Sequence, residues 1–207
     1  DYYYMTQNEV IEIIKILKRT YPDATCSLNF NTPFQLLVAV MLSAQCTDER
    51  VNKITPTLFE RCKSIEDFAN IDIKELETLI HSCGFYKNKA KNIKQSAKLV
   101  LENYNGEVPQ TMEELLTLAG IGRKSANVIL LEAFGIANGI AIDTHAKRIS
   151  NKMGLSREND PEKIEQDLIK LIPKKYLKDV NHLLVWHGRN TCIARKPLCE
   201  QCSVKKY

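Results

Sequence analysis

Leu118-Ala119-Gly120-Ile121-Gly122-Arg123-Lys124-Ser125-Ala126 is the stretch on which the reading of this chain turns. Two glycines one residue apart allow a tight turn with dihedrals that other residues avoid. Apolar spacing on either side predicts a helix pair over 111–118 and 123–134. The turn delivers the backbone to a helix start, where N–H groups lack intrahelical partners. Those donors, with the positive end of the helix dipole, suit a phosphate. Leu118 and Ile121 are placed to pack between the two helices and fix their crossing. A glycine C-cap at an ordinary helical corner would use the same GxG. The flanking Leu, Ile, Arg-Lys and Ala favour the phosphate-binding hairpin.

Outward from the hairpin the signals are helical in both directions. Val10, Ile13, Ile14 and Leu17 form one stripe on a helix over 6–18. Thr32-Pro33 reads as a cap with proline at the first helical position. The segment 34–42 is apolar on nearly every face, so it should lie buried at the centre of a bundle. Further amphipathic helices are predicted over 48–62, 72–82, 87–104, 161–171 and 178–189. Asp143-Thr144 caps another that runs to about 153. Strand alternation is absent, and the expected fold class is all-α.

Composition agrees. The 207 residues are 44% hydrophobic and 26% charged, which excludes a disordered chain. The longest apolar stretch, 34–44, is interrupted by Gln35 and Ser43 and reaches about half the ~20 residues of a membrane span. No secretion signal is visible. The expected compartment is the cytoplasm, or the nucleoid if the source is bacterial, with the cysteines reduced. Met5 reads as an initiator and residues 1–4 as a non-native leader. The net charge is 29 − 25 = +4, which permits nucleic acid as a partner without requiring it. Basic residues concentrate at Lys87, Lys89, Lys91 and Lys94 and at Arg189, Arg195 and Lys196. Each group taken alone reads as a solvated face.

Three features carry chemistry. Lys124, in the first turn of its helix beside Arg123, occupies a place where an ammonium is disfavoured, as a nucleophilic amine needs. Asp143, at an N-cap, is a fixed carboxylate able to stabilise developing positive charge. Cys192-x6-Cys199-x2-Cys202 has metal-ligand spacing. Thiolates bind zinc or iron–sulfur clusters, usually four at a time, and the spacing leaves both open. His145, His182 and His187 lack ligand spacing and read as structural; Trp186 reads as core.

The hairpin resembles the helix-hairpin-helix motif of the DNA glycosylase superfamily, more narrowly that of the endonuclease III family. Leu42-Ser43-Ala44-Gln45-Cys46-Thr47-Asp48, Cys83-Gly84-Phe85-Tyr86-Lys87-Asn88-Lys89-Ala90, Ile142-Asp143-Thr144-His145 and the run from His187-Gly188-Arg189 to Pro197 are each similar to that family, in its order, from about residue 32 to 202. The resemblance implies two helical domains flanking a DNA-binding cleft. Residues 25–134 would form a six-helix barrel with the hairpin at 111–134. Residues 5–24 plus 135–207 would form an iron–sulfur cluster domain.

It further implies a bifunctional DNA glycosylase and abasic-site lyase of base excision repair, acting on oxidised pyrimidines. Lys124 would attack the sugar and form a Schiff base that drives β-elimination, with Asp143 activating the step. Gln45 and Phe85 would fill the duplex where a base is extruded. The family's usual residue at Phe85 is leucine, a departure that preserves an apolar wedge. Gly120, Gly122, Arg195 and Lys196 would contact phosphates. Cys192, Cys199 and Cys202 would hold a [4Fe–4S] cluster, with a fourth cysteine expected immediately after Tyr207. The expected partner is double-stranded DNA carrying damaged bases or abasic sites, met by a monomer without membrane contact. A non-catalytic helix-hairpin-helix DNA-binding module is the alternative, as is a glycosylase of the same superfamily with another base specificity.

Overall fold

A computed structural model describes residues 5–207; the reading of residues 1–4 as a leader lies outside the described residues. Eleven α-helices and no strand occur among the described residues. They are α1 (Gln7–Thr20), α2 (Pro33–Leu42), α3 (Asp48–Arg61), α4 (Ile65–Asn70), α5 (Ile73–Ile80), α6 (Tyr86–Asn103), α7 (Met112–Leu115), α8 (Arg123–Phe134), α9 (Thr144–Lys152), α10 (Pro161–Leu171) and α11 (Leu177–Asn190). None is long and apolar enough to cross a membrane. The chain divides into two compact units, Ser27–Ile136, and Asp1–Cys26 together with Ala137–Tyr207.

The unit over Ser27–Ile136 is built around α2. Thr32 caps it, its Oγ1 accepting from Gln35 N at 3.1 Å, and Pro33 opens the first turn. Every residue from Phe34 to Leu42 except Gln35 is buried, because α3, α6 and α8 all pack on it. Phe68 seals one side against Phe34 and Phe59, with ring centroids 5.4 and 6.3 Å apart. Phe68 belongs to α4, a helix absent from the periodicity reading because six residues are too few to show a period. Its signal was the capping box Ser64-x-x-Asp67. Asp67 N donates to Ser64 Oγ and Ser64 N to Asp67 Oδ2, each at 3.2 Å.

The predicted helix over 111–118 is one turn only. After Leu115 the backbone tightens through Thr117 N to Glu114 O and Leu118 N to Leu115 O, each 3.1 Å, into the hairpin. The helix expected over 72–82 likewise ends at Ile80 and tightens into a 3-10 turn, His81–Cys83.

In the other unit, α1, α9, α10 and α11 enclose a core of Val10, Ile13, Ile14, Leu17, Ile149, Ile164, Leu168 and Leu184. Thr6 and Glu9 close the start of α1 by a reciprocal capping box, with Thr6 N donating to Glu9 Oε2 at 2.7 Å. Trp186 is half-buried, not core. Its Nε1 donates to Thr25 O at 3.0 Å, and an indole with a polar edge satisfied at the surface needs no deeper burial.

The two hairpin glycines have different physical reasons. Gly120 has φ +77, and a Cβ there would lie 2.8 Å from Asn92 Nδ2 and 3.0 Å from Met41 Cε, so the hairpin rests directly on α6 and α2. Gly122 is extended, and a Cβ there would meet nothing within 4 Å. Gly120→Ala should therefore cost at least about 1 kcal/mol, while Gly122→Ala, which meets no clash but puts a poorer N-cap residue before α8, should cost less, about 0.5 kcal/mol. Leu37→Ala, at a fully buried position, should cost about 2–5 kcal/mol. Urea unfolding of the three variants checks all three values.

Candidate active site and DNA-contacting surfaces

Lys124 is the second residue of α8 and is exposed. Gly122 occupies the N-cap without a side chain, so α8 starts with no side-chain cap hydrogen bond. Its first-turn N–H groups depend on something other than a capping side chain. Leu118 and Ile121 are buried between the flanking helices, and Ser96 of α6 donates from Oγ to Ala119 O at 3.0 Å. The loop is therefore held from behind, with the amine of Lys124 on the open side.

Two further loops in the same unit carry Gln45 and Phe85. Both are exposed, Phe85 at 67%, which rules out a core role for it. Both also have left-handed backbones, φ 51 at Gln45 and φ 47 at Phe85, where a non-glycine residue is strained by roughly 1–2 kcal/mol. Beneath them lies Lys89, only 7% exposed. This corrects the reading of Lys87, Lys89, Lys91 and Lys94 as one solvated set. The α6 periodicity points Lys89 inward with Ala90 and Ile93, and its Nζ donates to Leu42 O, Ala44 O and Cys83 O at 2.8, 2.7 and 3.0 Å. Burial pulls the Lys89 ammonium below the ordinary lysine value. The same burial, with a hydrogen bond to Cys46, pushes the Cys83 thiol up to about 12. Lys94 is half-buried and donates to Ile71 O, leaving Lys87 and Lys91 as the exposed members of the run.

In the second unit Asp143 is the N-cap of α9, its Oδ1 accepting from Ala146 N at 2.7 Å. The irregular segment leading to it is anchored by residues that periodicity could not single out. Buried Asn181 accepts from Ala141 N at 2.9 Å and donates to Gly139 O and Leu177 O at 3.0 and 2.8 Å. Glu165 Oε1 accepts from Ile140 N at 3.3 Å. Downstream, α9 packs on α11 so closely that a Cβ on Gly188 would lie 3.0 Å from His145 Cβ. Arg148 Nη2 donates to Gly188 O and Cys192 O, each at 2.9 Å. One guanidinium thus ties the aspartate-bearing helix to the segment that begins the cysteine run. The His145-Gly188 contact accounts for a histidine beside Asp143 whose imidazolium is disfavoured, chiefly by burial.

Cys192 and Cys202 are half-buried against the core of this unit, and Cys199 is exposed. The loop between the first two is closed by Leu198 N donating to Thr191 O at 2.8 Å, and it presents Arg195 and Lys196 to solvent. Buried His187 has its Nε2 3.8 Å from Cys202 Sγ, with Nδ1 2.9 Å from Tyr21 Oη, which also bonds Thr191 Oγ1. Burial lowers the affinity of His187 for a second proton, so one ring nitrogen accepts and the other donates. Three soft thiols with a buried histidine ring beside one of them are a donor set suited to an iron–sulfur cluster. No group of three or more His, Cys, Asp or Glu side chains among the described residues is arranged to hold a metal ion. A cavity of about 480 Å³ in the first unit is lined by Phe34, Phe68 and Phe134 among others, and by none of Gln45, Phe85, Gly120, Gly122 and Lys124.

With this geometry in view, comparison with known proteins is direct. Residues 38–174 match the HhH-GPD superfamily base excision DNA repair proteins. Residues 192–207 match the iron–sulfur binding domain of endonuclease III, whose cofactor is a [4Fe–4S] cluster. The chain is 55% identical to endonuclease III of Synechocystis sp., covering 93% of this chain and 88% of that protein. It superposes on a non-covalent endonuclease III–DNA complex with a TM-score of 0.92 at 40% identity, covering 97% and 94% of the two chains. A trapped endonuclease III–DNA covalent intermediate gives a TM-score of 0.91 at 41% identity, covering 96% and 93%. Matches of this extent, over nearly the whole chain, mean that it belongs to the endonuclease III family of helix-hairpin-helix base excision DNA repair enzymes, DNA glycosylases with abasic-site lyase activity.

Proposed function

We propose that this chain, as a cytoplasmic monomer, removes oxidised pyrimidines from double-stranded DNA and cleaves the resulting abasic site through a Schiff base on Lys124. The observation that carries the assignment is the exposed amine in the first turn of α8, beside an N-terminus with no capping side chain. The trapped covalent intermediate described for a similar endonuclease III supports a nucleophile at this place. Lys124 Nζ attacks the deoxyribose C1′ and the glycosidic bond breaks, releasing the damaged base. The sugar ring opens to an imine, a proton leaves C2′, and the C3′–O bond breaks. Water then frees the amine. Asp143 favours the attack by stabilising positive charge on the sugar and by accepting the proton that the amine sheds, which then passes to the departing base.

Base extrusion costs a few kcal/mol of stacking. Gln45 and Phe85, exposed on adjacent strained loops, fill the gap from the two sides. Gly120 and Gly122 bring backbone N–H groups to a phosphate, and Arg195 and Lys196 add contacts from the second unit. Cys192, Cys199 and Cys202 are three ligands of the iron–sulfur cluster. The cluster supplies a folding constraint for its segment and no hydrolytic chemistry. His187 and Tyr21 orient Cys202 from within the core.

Four variants check this reading. Borohydride should trap the wild-type protein on abasic-site DNA as one covalent species. Lys124→Gln should abolish trapping and strand cleavage with DNA affinity largely retained. Asp143→Asn should keep the fold, since asparagine caps well, yet slow base removal at least about tenfold, equivalent to about 1.4 kcal/mol of transition-state stabilisation. Trapping of Lys124→Gln at the wild-type rate would overturn the assignment. Arg195→Ala should weaken binding to damaged and undamaged duplex alike and flatten the slope of log affinity against log salt by about one. A loss confined to damaged DNA would assign Arg195 to lesion reading instead. Cys199→Ser should lower iron content, measured by metal analysis, and loosen residues 192–207 to proteolysis.

A further inference from the structure

The ammonium of Lys89 is a charged group inside a unit whose other buried side chains are apolar or, at Thr55, Ser96 and Asn127, polar and uncharged. Burying such a group is costly unless every proton finds an acceptor. Here all three protons do, on Leu42 O, Ala44 O and Cys83 O at 2.8, 2.7 and 3.0 Å. The acceptors come from two segments far apart in the chain. Leu42 and Ala44 lead out of α2 into the loop of Gln45, while Cys83 ends the 3-10 turn before Gly84-Phe85. Gln45 and Phe85 are two of only three non-glycine residues with positive φ among the described residues. Strained backbone of this kind persists where its surroundings over-determine it. The third, Asn105, lies in the turn after α6.

A methionine would fill the same volume and spare the cost of a buried charge, so packing alone does not call for lysine. Nor does phosphate binding, because the amine faces inward. We infer that Lys89 is a positioning residue that clamps the Gln45 and Phe85 loops to each other, so that both side chains leave the protein from fixed points when a base is extruded. This rests on the proposed roles of Gln45 and Phe85. The carbonyl partners stand close to the strained residues: Ala44 one residue and Leu42 three residues before Gln45, and Cys83 two residues before Phe85. A shift of either loop would break at least one of the three bonds, so the loops move together or not at all. Lys89 touches neither base nor sugar, and its effect is confined to reactions that require an opened duplex.

The test compares duplex and single-stranded substrates. Lys89→Met should lower single-turnover base removal from duplex DNA at least tenfold. It should also reduce the 2-aminopurine fluorescence rise that reports extrusion beside the lesion. Borohydride trapping on an abasic site in single-stranded DNA, which needs no extrusion, should stay within about threefold of wild type. Adding Phe85→Ala to Lys89→Met should cost much less than Phe85→Ala does alone, because the wedge is already misplaced. Lys89→Gln, which keeps two N–H donors, should fall between Lys89→Met and wild type. Wild-type duplex extrusion in a folded Lys89→Met protein, or equal losses on duplex and single strand, would overturn the inference. So would failure of both variants to fold, since the charge would then serve the core. If Gln45→Ala and Phe85→Ala by themselves leave extrusion unchanged, the roles of those two residues fail first, and the clamp with them.

Discussion

The backbone groups at helix ends have no partners within the helix, and in an all-helical chain every connection begins and ends on such a deficit. Most starts here are closed by the residue type that local chemistry favours. Thr6, Thr32, Thr47, Ser64, Asp72, Thr111, Asp143 and Asp160 each accept from the first turn of the helix that follows. The helices α6, α8 and α11 have no side-chain cap. Two of these three follow the exposed loops of Phe85 and of the glycine hairpin.

Holding such loops in place without capping them requires support from below. In the Ser27–Ile136 unit that support is unusually polar for a core. Ser96 fixes the hairpin through Ala119 O, Met41 and Asn92 leave Gly120 no room for a side chain, and Lys89 ties down the two loops beside it. In the other unit the same task falls to Asn181 and Glu165, which bind backbone N–H and C=O groups ahead of Asp143, and to Arg148, which bonds the chain at Gly188 and Cys192. Hydrogen bonds from buried polar groups rigidify what they join. Rigid loops on rigid supports are what a reaction on a displaced nucleotide needs, since small displacements of reacting groups are costly.

Much of this was legible in the residues themselves. The apolar run of α2, the stripe on α1, the caps at Thr32 and Asp143 and the glycine pair are local signals, set by periods of 3.6 residues and by side chains that reach their own backbone. They are enough to place an all-helical fold, to put Lys124 in a first turn and Asp143 at a cap, and to draw attention to Cys192, Cys199 and Cys202. The short α4 escaped because six residues carry no period, although Ser64 and Asp67 announced its start. The pair of glycines looked equivalent and is not: only Gly120 has a positive φ and crowded surroundings.

What the residues alone left open was which polar side chains turn inward. Lys89 sits in a run of lysines, and the position of α6 against the ends of α2 and the 3-10 turn decides how far each is buried: Lys89 is buried, Lys94 half-buried, and Lys87 and Lys91 are exposed. Asn181, Glu165, Arg148 and His187 belong to the same class, each bonding to a partner many residues distant. Local sequence determined the helices, their starts and the candidate chemistry, because those follow from a residue and its near neighbours. Tertiary structure decided the supports, because a buried polar group is stable only where the fold brings its partners within hydrogen-bonding distance.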